Sequence, residues 1–194
     1  NLVKETNALG EITSYTYDGS GKVKSMARQA DSASTAITLA TYAYDSYGNT
    51  KSVTDACGQT STYEYDLMGN LTTVKDSEGA VVTKYTYDVQ GNVLTSEDSY
   101  GTITANTYDL MGNVTHTEST AGTRDNADNE SLTGAGNENQ TADTGNGLTR
   151  TYRYEYDQMG RLLKAVDAEN GISRQTFDEN GNLTSVISPL EEEL

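Results

Sequence analysis

In Thr62-Tyr63-Glu64-Tyr65 polar and aromatic positions alternate, which places both tyrosines on one face of a half-buried strand and the polar residues on the other. The alternation stops at Asp66, which is followed by two variable residues, Gly69 and Asn70. Aspartate opening a turn can accept a backbone N–H two residues on, and glycine at the fourth position supplies a positive φ without steric cost. The stretch predicts a strand running into a hairpin turn of type I, closed by a glycine bulge.

The same Y-x-Y-D-x-x-G-N pattern recurs along the chain. Its copies hold Tyr15, Tyr17, Asp18 and Gly21; Tyr42, Tyr44, Asp45 and Gly48; Tyr63, Tyr65, Asp66 and Gly69; Tyr85, Tyr87, Asp88 and Gly91; Tyr108, Asp109 and Gly112; Tyr154, Tyr156, Asp157 and Gly160; and Phe177, Asp178 and Gly181. Asn106 and Gln175 stand at the first tyrosine position in two copies, and Phe177 at the second in one. The aromatic residues before the aspartates fall at 17, 44, 65, 87, 108, 156 and 177, giving intervals of 27, 21, 22, 21, 48 and 21. The period is therefore about 21 with two insertions, a repeat architecture in which each unit buries its apolar face only against its neighbours.

After the turn glycine comes usually asparagine (Asn49, Asn70, Asn92, Asn113, Asn182), with Lys22 and Arg161 in two copies, and then usually a large apolar residue: Val23, Leu71, Val93, Val114, Leu162, Leu183. Three residues further stand Met26, Val53, Val74, Ala165 and Val186. In an unbroken strand this odd offset puts the two sets on opposite faces. A second D-x-x-G turn follows at Asp55/Gly58, Asp76/Gly79 and Asp98/Gly101, with looser versions at Asn7/Gly10 and Asp167/Gly171. Two turns per repeat leave strands of about six to eight residues. Each repeat is expected to be one β-hairpin, and the fold to be all-β, with tandem hairpins in one long antiparallel sheet. About fifteen strands ~4.8 Å apart make a sheet long enough to curl, so a spiralling sheet forming a partial β-shell is expected.

Along the chain, the repeat array covers residues 1–188, with insertions near 28–40 and 119–148 and an acidic tail at 189–194. Asn1 matches the asparagine after a turn glycine, so the chain reads as a segment cut from a longer array at both ends. The 119–148 stretch is Gly, Asn, Asp, Thr and Glu with almost nothing apolar and is expected to be an exposed, mobile loop. The end strands near 1–7 and 182–188 carry Leu2, Val3, Leu183, Val186 and Ile187 with few charges, so end-to-end self-association of the excised segment is expected.

The apolar fraction of 34% is low for a compact core, and twelve of the fourteen tyrosines lie in the repeat strands. Tyrosine at strict two-residue spacing reads as packed interior rather than as a ligand platform. A net charge of -16 argues against nucleic acid and against an anionic membrane surface as partners. No apolar run reaches the length of a spanning helix, so membrane insertion is not expected. Cys57 is the single cysteine, which excludes an internal disulfide.

Paired carboxylates could suggest glycoside hydrolysis, but every recurring aspartate is accounted for by its turn, and a repeated acid makes a poor unique catalytic site. His116 is the only histidine, so no histidine-based triad or multi-histidine metal site is expected, and it should lie on a strand surface. Asp125 to Glu130 offers oxygen ligands suited to calcium but lacks the spacing of an EF-hand loop, and a solvated acidic loop is the preferred reading. Asn129 and Asn139 head glycosylation sequons read as compositional. No enzyme activity, cofactor or metal site is expected.

The tandem Y-x-Y-D-x-x-G-N motif resembles the YD repeats of the RHS family, found in bacterial polymorphic toxins and animal teneurins, over nearly all of residues 1–188. The resemblance implies a β-sheet spiralling into a hollow shell that, in the toxins, encloses a C-terminal effector domain. It therefore implies a non-catalytic shell segment of a large bacterial secreted or cell-surface protein, whose partners are other repeats and a C-terminal domain of the same polypeptide. Asparagine where many members carry arginine, with the acidic balance, is similar to surface proteins of Gram-positive bacteria. The family's self-cleaving protease region and toxin domain are not in this sequence. A second reading is an adhesin-type module that binds cell-surface carbohydrate through tyrosine faces or the 119–148 loop.

Overall fold

A computed structural model describes residues 1–122 and 148–189. It contains fifteen strands: β1 (Lys4–Thr6), β2 (Ile12–Tyr17), β3 (Val23–Gln29), β4 (Ile37–Tyr44), β5 (Thr50–Asp55), β6 (Thr60–Tyr65), β7 (Leu71–Lys75), β8 (Val81–Tyr87), β9 (Val93–Asp98), β10 (Ile103–Tyr108), β11 (Val114–Thr120), β12 (Thr149–Tyr156), β13 (Leu162–Val166), β14 (Ile172–Phe177) and β15 (Leu183–Ile187). Their order in the sheet is their order in the chain, with β1 and β15 at the two ends and no closure into a barrel. By contacts the chain divides into two units, Asn1–Lys84 and Tyr85–Leu194, the boundary falling within β8.

Every Y-x-Y-D turn joins two antiparallel strands with the expected geometry. At Asp66 the glycine N–H donates to the aspartate carbonyl (Gly69 to Asp66, 3.1 Å), and the aspartate N–H donates to the carbonyl of Asn70 at 2.9 Å. Gly69 has φ 88°, and the corresponding glycines of the other six copies are also at positive φ. The second turns at Asp55, Asp76 and Asp98 repeat the pattern. The turn at Asp167 corrects the sequence reading: Asn170, with φ 67°, takes the left-handed position and donates to the Asp167 carbonyl, while Gly171 lies one residue beyond it. Asparagine tolerates this region better than other non-glycine residues. Gly171 is needed for a different reason, since a Cβ there would lie 2.6 Å from Asp167 Oδ2 and 2.9 Å from Pro189 Cβ.

The opposite-face expectation for the second strands is also overturned. In β6 and β7, Tyr63 pairs with Val74 and Glu64 with Thr73, but Tyr65 pairs with Leu71, the register shifting between Glu64 and Tyr65. Thr72 is the extra residue of a β-bulge, and its insertion brings Leu71 and Val74 to the same tyrosine face despite their odd spacing. The shift recurs at Tyr17 with Val23, Tyr44 with Thr50, Tyr108 with Val114, Tyr156 with Leu162, and Phe177 with Leu183.

The tyrosines alternate with exposed residues as expected, yet they are half-buried rather than fully buried. Only Ile12 and Ala40, both in the first unit, are buried among the described residues. The packed-interior reading is corrected accordingly, because one sheet layer covers a ring from its sides and not from above. The polar face is held by cross-strand hydroxyl pairs such as Thr54 with Thr60 (2.7 Å) and Thr176 with Thr184 (2.8 Å), and by Lys75–Glu64 and Lys164–Glu155 ion pairs at 2.5 and 2.8 Å.

Strands take residues from both ends of the 28–40 stretch, leaving a connection at 30–36; Asp31 organises it, its Oδ1 accepting the N–H groups of Ala33 and Ser34. Strand β11 runs to Thr120 and β12 starts at Thr149, which likewise takes residues from the 119–148 stretch. The Asp125–Glu130 segment, the Asn129 and Asn139 sequons and the acidic residues 191–193 lie outside the described residues. No helix among the described residues is long and apolar enough to cross a membrane.

The two turn positions make distinct demands. Gly69→Val forces a β-branched residue into positive φ and should cost about 1–3 kcal/mol, whereas Leu67, 98% exposed, should change stability by less than about 0.5 kcal/mol when replaced by alanine. Thermal melts of the two variants check this; equal melting temperatures would contradict the turn geometry.

Candidate functional site

The recurring motif residues come together at the joints between hairpins, not in a cleft. Six of the seven Y-x-Y-D aspartates use both carboxylate oxygens, while Asp18 takes Ser20 and Lys22 on Oδ1. In the Asp66 turn, Oδ1 accepts the backbone N–H groups of Met68 and Asn70, each at 2.9 Å, and Oδ2 accepts Nδ2–H of Asn70 at 2.9 Å. The same clamp forms between Asp45 and Asn49, Asp88 and Asn92, Asp109 and Asn113, and Asp178 and Asn182. The sequence reading noted these asparagines without a role for them. Their constant four-residue distance from the aspartate was the available signal. In the Asp157 turn the guanidinium of Arg161 takes over, Nε donating to Oδ2 at 2.6 Å.

Donors held in place stabilise the ionised form. The Asn70 side chain, then the Asn70 and Met68 N–H groups, hold Asp66 below its ordinary value. Asp88, Asp109 and Asp178 are lowered likewise, first by their asparagine side chains. Asp18 is lowered first by the Ser20 hydroxyl, 2.7 Å away, and Asp157 first by the Arg161 N–H. Desolvation is the largest influence on Asp45 and acts upward, but the Asn49 and Tyr47 donors together outweigh it and the net direction is down.

The second tyrosine of the motif joins one hairpin to the one before it. Tyr44 Oη donates to the Val23 carbonyl at 2.7 Å, Tyr65 Oη to the Thr50 carbonyl at 3.0 Å, and Tyr108 Oη to the Val93 carbonyl at 2.7 Å, and Tyr17 makes the equivalent bond to Leu2. These carbonyls belong to the second residue after the preceding turn glycine, where pairing with the following strand has ended. Strands β5 and β6, for example, pair only through Ser52–Thr62, Val53–Ser61 and Thr54–Thr60. The phenol thus satisfies a backbone acceptor that the ladder leaves over. Burial, then the charge of the preceding turn's aspartate, raises the pKa of Tyr44 (Asp18) and Tyr65 (Asp45). Burial is also the first cause for Tyr156, followed by Tyr154 and Asp109. Phe177 has no hydroxyl to make this bond. The Arg161 guanidinium lies 4.7 Å from its ring centroid instead, a cation–π contact from the preceding turn. Lys22 makes a similar contact to Tyr44 at 5.0 Å, with its ammonium on the Gly48 carbonyl.

The remaining chemical groups are dispersed. Half-buried His116, on β11, has Nε2 4.0 Å from Glu118 Oε2, and Cys57 is free and exposed in a turn. Among the described residues no cluster of His, Cys, Asp or Glu is placed to hold a metal ion. A wide-open hollow of about 680 Å³ lies in the first unit between the Asp18 and Asp45 turns and is lined by Tyr17, Lys22, Lys24, Tyr42, Tyr44 and Tyr47, among others.

Fold and joints together define a tandem β-hairpin repeat protein built on Y-x-Y-D turns. The family described as RHS Repeat matches residues 44–81 and 69–103, so the repeats over that stretch are RHS repeats. No curated protein sequence matches the chain. Among solved structures, that of TcdB2-TccC3-Cdc42 is similar with a TM-score of 0.67 and 18% identity, covering 96% of this chain and 10% of that one. The Photorhabdus luminescens Tc holotoxin pore with mutated TccC3 is similar at 0.66 and 17%, over 97% of this chain and 10% of that one. A further TcdB2-TccC3 structure gives 0.59 and 14%, over 95% and 12%. The chain thus spans about a tenth of the length of the structures it resembles.

The direction of the aspartate shifts sets a pH dependence. A carboxylate with a depressed native pKa stabilises the fold above its unfolded value of about 3.9 and loses that contribution as pH falls through the native value. The melting temperature should therefore drop progressively below about pH 4. Asp66→Asn, which cannot ionise, should start lower at pH 7 and lose less on acidification. Melts from pH 7 to pH 2 at fixed high salt, which screens the net charge, read both effects; identical pH profiles for the two proteins would contradict the assignment.

Proposed function

We propose that this chain is a non-catalytic wall segment of an RHS-repeat shell, belonging to a large secreted or surface-displayed bacterial protein that encloses or presents a further domain. The observation that carries the reading is the strand order, which follows the chain from β1 to β15, with second tyrosines such as Tyr44, Tyr65 and Tyr108 bonding back to the preceding hairpin. The similarity to chains about ten times longer, from TcdB2-TccC3 structures and a Tc holotoxin pore, supports it. In this reading the sheet curls as a wall, its partners are flanking repeats and the enclosed domain, and the motif tyrosines and aspartates are structural.

The carbohydrate reading gains no comparable support, because the second tyrosines spend their hydroxyls on main-chain carbonyls. Electron cryomicroscopy of the full-length parent polypeptide tests the proposal. These strands are expected to continue into flanking repeats in a wall around an enclosed volume. A free-standing sheet with both faces in solvent would refute it.

In isolation, β1 and β15 each have a strand neighbour on one side only. We further propose that the 194-residue chain associates end to end through these edges, giving species that grow with concentration in sedimentation. Val186→Lys, which charges the β15 edge, should suppress that growth; a wild-type chain that shows none at high concentration would count against the idea.

A further inference from the structure

The chain holds four methionines, and three of them stand at the same place in the repeat. Met68, Met111 and Met159 each precede the turn glycine, in the Asp66, Asp109 and Asp157 turns. They are 72%, 63% and 77% exposed. The turn uses only their backbone: the N–H of Met68 donates to Asp66 Oδ1 at 2.9 Å, that of Met111 to Asp109 Oδ1 at 2.8 Å, and that of Met159 to Asp157 Oδ1 at 2.8 Å. Each hairpin thus closes without its thioether, which is left largely in water.

Met26 is placed differently. It lies in β3, paired with Tyr15 of β2 on one side and with Ala40 of β4 on the other, and it is half-buried on the tyrosine face. Ala40 is itself buried. Oxidation turns a flexible apolar side chain into a polar, chiral one. At Met26 the added oxygen would enter the face that packs the tyrosines, whereas at the three turn tips it would enter solvent.

We propose that Met68, Met111 and Met159 are reversible oxidation sites, at which a peroxide-class oxidant forms methionine sulfoxide while the hairpin stays closed. In this step the thioether sulfur attacks one peroxide oxygen, an S–O bond forms and the O–O bond breaks. The second oxygen takes up the proton of the first and leaves as water. Sulfur gives up two electrons and the peroxide accepts them. Access to the sulfur sets the rate, and access is what separates the three tips from Met26. It also sets the reverse step, since methionine sulfoxide reductases, one for each sulfoxide epimer, must reach the side chain. Each site stands by itself, Met68 within the first unit and Met111 and Met159 within the second, and none needs a contact between units.

The test treats the 194-residue chain with hydrogen peroxide, quenches it at intervals and measures the oxidised fraction at each methionine by peptide mass spectrometry. In the folded chain the three tips should react at least roughly tenfold faster than Met26, and in concentrated urea all four should react within about twofold of one another, because exposure and not flanking sequence sets the order. With the tips converted and Met26 intact, the melting temperature should stay within about 2 °C of the untreated chain, as for a surface change. The two reductases together should return the three tips to thioethers without unfolding. Met26 reacting as fast as the tips in the folded chain, an order of reactivity that persists in urea, a larger fall in melting temperature, or sulfoxides that the reductases leave in place would each overturn the proposal.

Discussion

Each hairpin of the repeat closes on one carboxylate. The aspartate ending the aromatic strand accepts two backbone N–H groups on one oxygen and a side-chain donor on the other, in addition to the carbonyl bond from the turn glycine. Three successive backbone groups that would otherwise face water or a poor partner are thereby fixed around a single residue. The register of the following strand depends on it, including the bulge that returns Leu71 and Val74 to the tyrosine face. Loss of the turn would shift the second strand against the first and turn its apolar residues away from the tyrosines.

A single-layer sheet has little apolar area to bury, and among the described residues only Ile12 and Ala40 are buried. Cohesion between repeats comes from tyrosine, which contributes ring contact along the sheet and a hydroxyl that reaches the preceding hairpin. This explains why the motif uses tyrosine rather than phenylalanine. Phenylalanine would supply the ring and leave the terminal carbonyl of the preceding strand without its protein donor. In the one copy with Phe177, Arg161 supplies a cation to the ring and a donor to the turn carboxylate, so two departures from the motif belong to one local solution.

Much of this was legible in the chain. Period-two alternation gave the strands, D-x-x-G gave the turns, and the 21-residue spacing gave the meander, because all three are short-range signals. The bulge was not legible: an odd offset between Leu71 and Val74 reads as two faces unless an extra residue is known to sit between them. The Asp167 turn hid for a related reason, since Asn170 and Gly171 are both acceptable in left-handed geometry and only the backbone distinguishes them. The asparagine clamp was visible as a recurrence, but its partner, four residues earlier, already had a sufficient explanation.

Because strand order follows chain order throughout, a force applied to the two ends acts across the strands rather than along them. Hydrogen bonds in such a geometry are loaded a few at a time, and with only nearest-neighbour joints to break, the sheet should peel open hairpin by hairpin at low force.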